Sequence, residues 1–155
     1  MKTRTLGVCL LLLINVSFIK GQSLADKVDM WMGTYGAGHC VVGPQLPHGS
    51  VNPSPQTANG GHAGYVPDQP IRGFGQLHVS GIGWGRYGQV LLSPQVGFNP
   101  GEKGHDSPKQ DEVATPYYYK VMLNRYNIQV EVSPTHHCAA YRFTFPETDQ
   151  GNILL

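Results

Sequence analysis

The clearest hydrophobic pattern of the chain begins after Pro116, where apolar and polar residues alternate in three successive segments. Residues 117–123 are rich in Tyr and Val, residues 128–132 alternate Ile and Val with Gln and Glu, and residues 137–145 place aromatic side chains at every second position near their end. Period-two alternation is typical of a β-strand with one buried and one solvated face. A polar turn at residues 124–127 and a second turn containing proline separate the segments. The pattern predicts an antiparallel meander of three strands.

Upstream of this meander, the pattern predicts two shorter strands within a chain that is mostly loop. Residues 71–80 and 89–93 carry short apolar runs, whereas Gly, Pro, Asn, Ser and His dominate residues 31–70 and predict a loop-rich layer. Residues 99–115 are polar and charged, and we expect an exposed loop there. Several short strands with regular turn signals favour an all-β fold, an antiparallel β-sandwich with long Gly/Pro-rich loops.

Composition supports this class of fold. Gly and Pro supply 20 and 12 of the 155 residues. Because these are the two poorest helix formers, a long-helix or coiled-coil protein is excluded. The apolar run at residues 153–155 begins after a Gly-Asn turn signal and predicts an unfinished domain. We therefore expect the chain to be the opening part of a longer, two-domain protein.

The first 21 residues have the pattern of a secretory signal peptide. Lys2 and Arg4 precede a 14-residue apolar run from Leu6 to Ile19, and small residues follow it. The alternative, a retained membrane anchor, needs about 20 apolar residues. We expect a signal peptide over residues 1–21, a mature domain over residues 22–155, a secreted or periplasmic location, and no membrane association beyond the signal.

Charge and cysteine content limit the partners of the mature domain. Cleavage would remove three of the 11 basic residues and leave 8 against 10 acidic residues, without a basic cluster. Such a domain lacks the electrostatic footprint for binding nucleic acid. Cys40 and Cys138 remain in a disulfide-permissive compartment, and the spacing leaves open a bridge or two unpaired thiols.

The densest set of candidate functional residues lies between residues 71 and 88. A strand would carry His78 and Ser80 on one face, and a glycine-rich stretch with Gly81, Gly83 and Trp84 follows directly. An aromatic ring beside hydroxyl, imidazole and backbone amide groups suits a sugar, which has apolar C–H faces and many hydroxyls. The alternative is a glycine-rich turn with a core tryptophan. We expect His78 and Trp84 to line a concave, solvent-reachable surface.

Other chemistries have weaker support. The seven histidines lack metal-ligand spacing and are better explained as solvated or hydrogen-bonded loop residues. Ser80 has no nucleophile elbow around it. Asp68 is the only acid between Met30 and Gln95, and the acids at residues 102–112 are expected in the exposed loop. The chain therefore shows no carboxylate pair for glycosidase chemistry.

Motifs in the chain resemble the N-terminal domain of glycoside hydrolase family 92, the calcium-dependent exo-α-mannosidases, from about Val28 to the end. The run from Ile71 through Gly83 is similar to the most specific stretch of the family, Gly-Phe-Ser-His-x-His-Leu-Ser-Gly-x-Gly. Further pieces match in the same order, namely Val28-Asp29, Met32-Gly33-Thr34, Gly38-His39, Ser54-Pro55-Gln56-Thr57, Pro116-Tyr117-Tyr118 and Tyr141-Arg142-Phe143-Thr144-Phe145-Pro146.

The resemblance implies a division of labour between two domains. Members of this family join a β-sandwich to a helical (α/α)6 catalytic domain, which supplies the acid, the base and most calcium ligands. The resemblance therefore implies that calcium is bound mainly outside this chain. The sandwich contributes to the rim of the sugar site, and the residues at the family motif are His78, Ser80, Gly81, Gly83 and Trp84.

Three functions remain open from the sequence. The first is the N-terminal, substrate-lining domain of an exported α-mannosidase-type glycoside hydrolase that acts on mannose-containing glycans, including N-glycans, together with a C-terminal catalytic domain. The second is a stand-alone carbohydrate-binding β-sandwich without catalysis. The third is a histidine-dependent metalloprotein.

Overall fold

A computed structural model of the chain describes residues 23–59, 63–78 and 90–155. Those residues contain a 3-10 turn at Leu24–Lys27 and one short helix, α1, at Glu102–His105. The rest of the regular structure is eight strands: β1 Ser54–Thr57, β2 Ile71–Gly75, β3 Leu91–Val96, β4 Lys109–Thr115, β5 Tyr118–Leu123, β6 Ile128–Pro134, β7 Ala139–Thr144 and β8 Gly151–Leu154.

The strands form two four-stranded sheets in which every pair of neighbours is antiparallel. One sheet has the order β1-β2-β3-β8 and the other the order β4-β5-β6-β7. The prediction of an all-β, antiparallel β-sandwich is confirmed.

The second sheet contains the meander that the alternating pattern predicts. Val121 of β5 pairs with Val130 of β6, and Val132 of β6 pairs with Tyr141 of β7. The turn between β5 and β6 includes Asn127 with a φ of 52°, a left-handed conformation that asparagine tolerates better than most residues. The predicted strands and this turn are confirmed within a few residues.

The core lies between the sheets and draws on both of them. Phe74 of β2 and Phe143 of β7 have ring centroids 6.4 Å apart. Buried side chains of β5 and β6 alternate with half-buried ones, as expected for a sheet with one face packed. The buried cluster comprises Val42, Tyr65, Ile71, Phe74, Tyr119, Val121, Leu123, Ile128, Val130 and Val132.

The expectation of an exposed loop at residues 99–115 is wrong. Helix α1 and strand β4 occupy most of it. The Arg72 guanidinium binds Glu102 at 2.6 Å and Asp106 at 2.7 Å, so the charges of this segment anchor α1 to β2. A β-bulge between Gln110 and Val113 interrupts the alternation of β4, which hides the strand in the sequence.

The structure tests three further expectations. Residues 31–70 are mostly turns, but β1 lies within them. The apolar run at residues 153–155 largely belongs to β8, which pairs with β3. Cys40 and Cys138 are both free thiols, so the unpaired alternative holds.

Within the described ranges, no helix is long and apolar enough to cross a bilayer.

Candidate functional site

His78 follows β2 and is the member of the predicted sugar-binding set that the structure describes. Its side chain is only 6% exposed. Its Nδ1 atom lies 3.3 Å from the backbone carbonyl oxygen of Asn52. A carbonyl can only accept, so Nδ1 carries the proton and Nε2 is a lone-pair acceptor. Nε2 is buried and has no hydrogen-bond partner within the described part of the chain.

The charge state of His78 follows from this setting. Burial lowers the pKa of His78 to about 4, and the hydrogen bond to the Asn52 carbonyl offsets only part of that shift. Taking an imidazolium out of water is costly unless a carboxylate compensates it. The ring is therefore neutral at neutral pH.

Gly64 covers one side of the His78 ring. A Cβ at this position would lie 3.2 Å from Cδ2 of His78 and 3.6 Å from Nε2, and the φ of +93° already favours glycine. The Gly64 carbonyl accepts from the backbone N–H of Thr57 at 2.8 Å, and the N–H of Val66 donates to the Thr57 hydroxyl at 3.0 Å. Gly64 therefore packs directly against the His78 ring, where a side chain would not fit, and it belongs to a segment that is held against β1.

A buried cluster of four polar side chains holds the same segment against the second sheet. The hydroxyls of Tyr65 (2.8 Å) and Tyr119 both donate to Oε1 of Glu112, and Lys109 Nζ lies 2.9 Å from Oε2 of Glu112. Lys109 also donates to the Tyr65 hydroxyl at 2.8 Å, and its Nζ lies 4.4 Å from the centroid of the Tyr65 ring. Burial, and next the charge of Glu112, raise the pKa of both phenols, while burial lowers the pKa of Lys109. Both phenols therefore stay protonated donors at neutral pH.

The β-bulge of β4 explains why Glu112 is inside. Asp111 takes a φ of 53°, and the register of β4 against β5 shifts between Gln110 and Val113. An extra residue in one strand changes the face to which the following side chains belong. The bulge directs Glu112 toward the two phenols, and its side chain is 14% exposed.

The predicted site is thus only partly described. The prediction that His78 is solvent-reachable is wrong, because the chain after β2 passes beneath Gly64. Ser80, Gly81, Gly83 and Trp84 lie outside the described residues, and their place in a sugar site stays a prediction.

Two acids of the described residues are held in ion pairs, and a third borders a cleft. Glu102 and Asp106 bind Arg72, and Asp68 borders an open cleft of about 370 Å3 with Lys109. The described residues hold no group of three or more His, Cys, Asp or Glu side chains able to bind a metal ion. They therefore do not fit a complete calcium site.

The roles of two residues near the site could not be predicted from the sequence. Asn52 lies in a segment that resembles any polar loop, yet its carbonyl determines the tautomer of His78. Glu112 stands among other acids, and only the β-bulge distinguishes it from an exposed carboxylate. The sequence signal for a strand there is the Val-Ala-Thr end of β4, which directly follows a run of polar residues.

Fold and site together define the class of the chain: a two-sheet antiparallel β-sandwich domain with a buried, neutral histidine acceptor. The chain belongs to glycosyl hydrolase family 92, since the model of the glycosyl hydrolase family 92 N-terminal domain matches residues 27–155. The resemblance found in the sequence is confirmed.

Relatives with curated names and solved structures agree with this membership. The chain is 29% identical over 152 residues to a protein named uncharacterized secreted glycosidase from Arthroderma benhamiae, covering 88% of this chain and 20% of the relative. It is similar to a family 92 α-mannosidase from Bacteroides thetaiotaomicron solved in complex with mannoimidazole, with 31% identity, a TM-score of 0.77, and coverage of 85% of this chain and 19% of that chain. The same mannosidase without that ligand matches with the same TM-score of 0.77. The chain spans about a fifth of the length of these relatives.

Proposed function

We propose that this chain is the N-terminal, substrate-lining sandwich of an exported α-mannosidase-type glycoside hydrolase that acts on mannose-containing glycans, N-glycans among them. The observation that carries the proposal is the family match over residues 27–155. The likeness to an α-mannosidase that binds mannoimidazole, at 31% identity, supports the choice of substrate. The name of the fungal relative supports export, for which the signal peptide over residues 1–21 is our proposed means.

In this proposal, the sandwich binds and the second domain performs the chemistry. Inverting hydrolysis needs one carboxyl group that protonates the leaving oxygen and one carboxylate that activates water, about 6.5–9.5 Å apart. A C-terminal catalytic domain supplies this pair and most calcium ligands. In this proposal, Ser80, Gly81, Gly83 and Trp84 line the bound sugar, where Trp84 offers an apolar face. His78 directly precedes these residues and, being buried, supports them without touching the sugar.

The test is the activity of the protein encoded by the complete reading frame. The proposal expects a further helical domain rich in Asp and Glu, and a purified product that releases mannose from an aryl α-mannoside only when calcium is present. Export is scored by the recovery of the product outside the cytoplasm with a new N-terminus near residue 22. A complete product that equals this chain and binds mannose without turnover would overturn the proposal in favour of a stand-alone binding domain.

A further inference from the structure

The outer face of the second sheet carries a cleft that the proposed function does not use. It has a volume of about 340 Å3, lies over β5, β6 and β7, and shares no residue with the family motif around His78. This volume is at the lower end of the range for small-molecule sites, ~300–1,000 Å3. We call it the β6–β7 cleft and define it by the polar and small side chains of its lining, Tyr118, Glu131, Ser133, Ala140 and Arg142.

Strand alternation and side-chain size create this cleft. Val132 is buried in the core, so its neighbours Glu131 and Ser133 point to the outer face of β6. Ser133 lies directly opposite Ala140 of β7, and Glu131 lies opposite Arg142. Two short side chains beside two long ones leave a depression in the sheet surface.

The Tyr118 ring borders the depression on the β5 side. Its hydroxyl donates to Oε1 of Glu131 at 2.6 Å, although the residue of β5 directly opposite Glu131 is Lys120. The ring therefore lies diagonally across the two strands. Burial, and next the hydrogen bond to Glu131, raise the pKa of Tyr118 to about 12, so the phenol stays neutral. A neutral aromatic ring beside a depression suits the apolar C–H face of a sugar ring.

The polar groups of the cleft offer donors and acceptors side by side. The Ser133 hydroxyl donates to the backbone carbonyl of Tyr117 at 3.1 Å, so its lone pairs can accept from a ligand, as can those of Tyr118. Nη1 of Arg142 lies 3.4 Å from Oε2 of Glu131, and the Arg142 side chain is 75% exposed. The remaining N–H groups of the guanidinium are therefore available as donors.

The charge of the cleft favours a neutral ligand. The hydrogen bond from Tyr118 lowers the pKa of Glu131, which is a carboxylate at neutral pH. Its charge opposes that of Arg142, and Lys120 does not line the cleft. A hydroxyl group both donates and accepts without carrying charge. Neighbouring hydroxyls of a pyranose can therefore bind the carboxylate and the guanidinium at the same time.

We propose that the β6–β7 cleft is a sugar-binding subsite that takes one neutral hexopyranose residue, with its ring against Tyr118 and its hydroxyls on Glu131 and Arg142. The choice of mannose as that residue rests on the proposed function, whereas the cleft and its polar groups rest on this chain alone. A branched glycan held here keeps its other branches at a raised local concentration beside the same domain.

The test is amide NMR of the full chain, titrated with methyl α-mannoside and, separately, with inorganic phosphate. We expect mannoside to shift the amide signals of residues 131–133 and 140–142 along one common binding curve. Phosphate should leave these signals unchanged, because the carboxylate of Glu131 repels an anion next to Arg142.

Two substitutions alter the cleft without touching the core. Ala140→Leu fills the depression and Arg142→Gln removes the guanidinium donors, and both positions are exposed. Each should weaken mannoside binding by about tenfold. The matched controls are Thr144→Leu, on the same face of β7 outside the cleft, and Arg125→Gln, in the turn between β5 and β6. Both controls should bind as the wild type does.

The remaining outcomes contradict the cleft in different ways. If mannoside shifts only signals elsewhere and the four variants bind alike, the cleft proposal is overturned and the proposed function stands. If phosphate rather than mannoside shifts the cleft signals, the cleft is an anion site and the proposal is also overturned. If no signal moves at the highest mannoside concentration, the cleft proposal fails, and the release of mannose by the complete product still decides the proposed function separately.

Discussion

At the scale of single residues, His78 and Glu112 show how this domain treats buried polar groups. His78 is neutral because burial outweighs its single carbonyl partner. Glu112 instead collects two phenol donors and one ammonium group. A buried polar cluster whose hydrogen bonds are made is tolerated, and removing one member exposes the rest to the full cost of desolvation.

The first prediction concerns the titration of His78. With a folded pKa of about 4 against 6.5 in the unfolded chain, the unfolded state binds more protons between these values. Stability therefore falls as the pH drops from 6.5 to 4, by about 3 kcal/mol in total. Urea unfolding across this pH range measures the effect. In His78→Asn, the loss of stability over this pH range should be smaller by about 3 kcal/mol. An identical pH profile in the variant would contradict the lowered pKa of His78.

The second prediction concerns Glu112. Replacement of Glu112 by Gln removes the carboxylate that compensates the charge of Lys109, and it places an amide N–H against one of the hydrogen-bond donors. We therefore expect Glu112→Gln to lower the free energy of unfolding by about 3 kcal/mol. The control is Glu102→Gln, since Glu102 pairs with Arg72 but its side chain is 69% exposed. That change should cost less than about 1 kcal/mol. Equal losses in urea unfolding at neutral pH would show that the cluster is not held by its carboxylate.

At the scale of elements, the meander of β4 to β7 supplies most of the buried core. The inward faces of β5 and β6 contribute Tyr119, Val121, Leu123, Ile128, Val130 and Val132. The edge strand β8 adds much less, since Ile153 is 46% exposed. Burial of apolar surface thus concentrates stability in the centre of the second sheet.

The third prediction compares the same substitution in these two places. Ile128 is fully buried, and Ile128→Ala should lower the free energy of unfolding by about 3 kcal/mol through lost burial and a cavity. Ile153→Ala removes a half-exposed side chain from β8 and should cost about 1 kcal/mol or less. Chemical denaturation of both variants measures the difference. A larger loss at Ile153 would place the main core in the first sheet.

At the scale of the whole molecule, several carboxylates of the described residues are held in contacts within the sandwich. Arg72 engages Glu102 and Asp106, and the phenol–lysine cluster engages Glu112. The described residues also lack a metal-binding group of acids and histidines.

The fourth prediction is that the purified chain alone does not hydrolyse an aryl α-mannoside, with or without calcium. The physical reason is that inverting hydrolysis needs two carboxyl groups about 6.5–9.5 Å apart across the sugar, and we expect the C-terminal domain to supply them. Release of the aryl group is measured by absorbance, with the complete enzyme as the positive control. Calcium-dependent turnover that disappears in Asp68→Asn would show that this chain holds its own active site.

The sequence by itself determined the class of fold, the meander and the family. These features rest on local signals: alternation with period two, turn residues between strands, and the ordered motifs from Val28 to Pro146. Each signal survives because a strand with one buried face shows its orientation at every second residue. The high Gly and Pro content and the lack of a basic cluster were equally visible without coordinates.

Only the tertiary structure decided which polar residues are buried. The bulge at Asp111 turns Glu112 inward against tyrosines from a distant loop and from β5, and no local pattern encodes that contact. The burial of His78 likewise depends on Gly64, which precedes it by 14 residues. Gly64 has a φ of +93° and packs against the His78 ring. Burial and the resulting tautomer arise from segments that meet only in the folded chain, so the sequence could nominate His78 but could not assign its charge or its free acceptor.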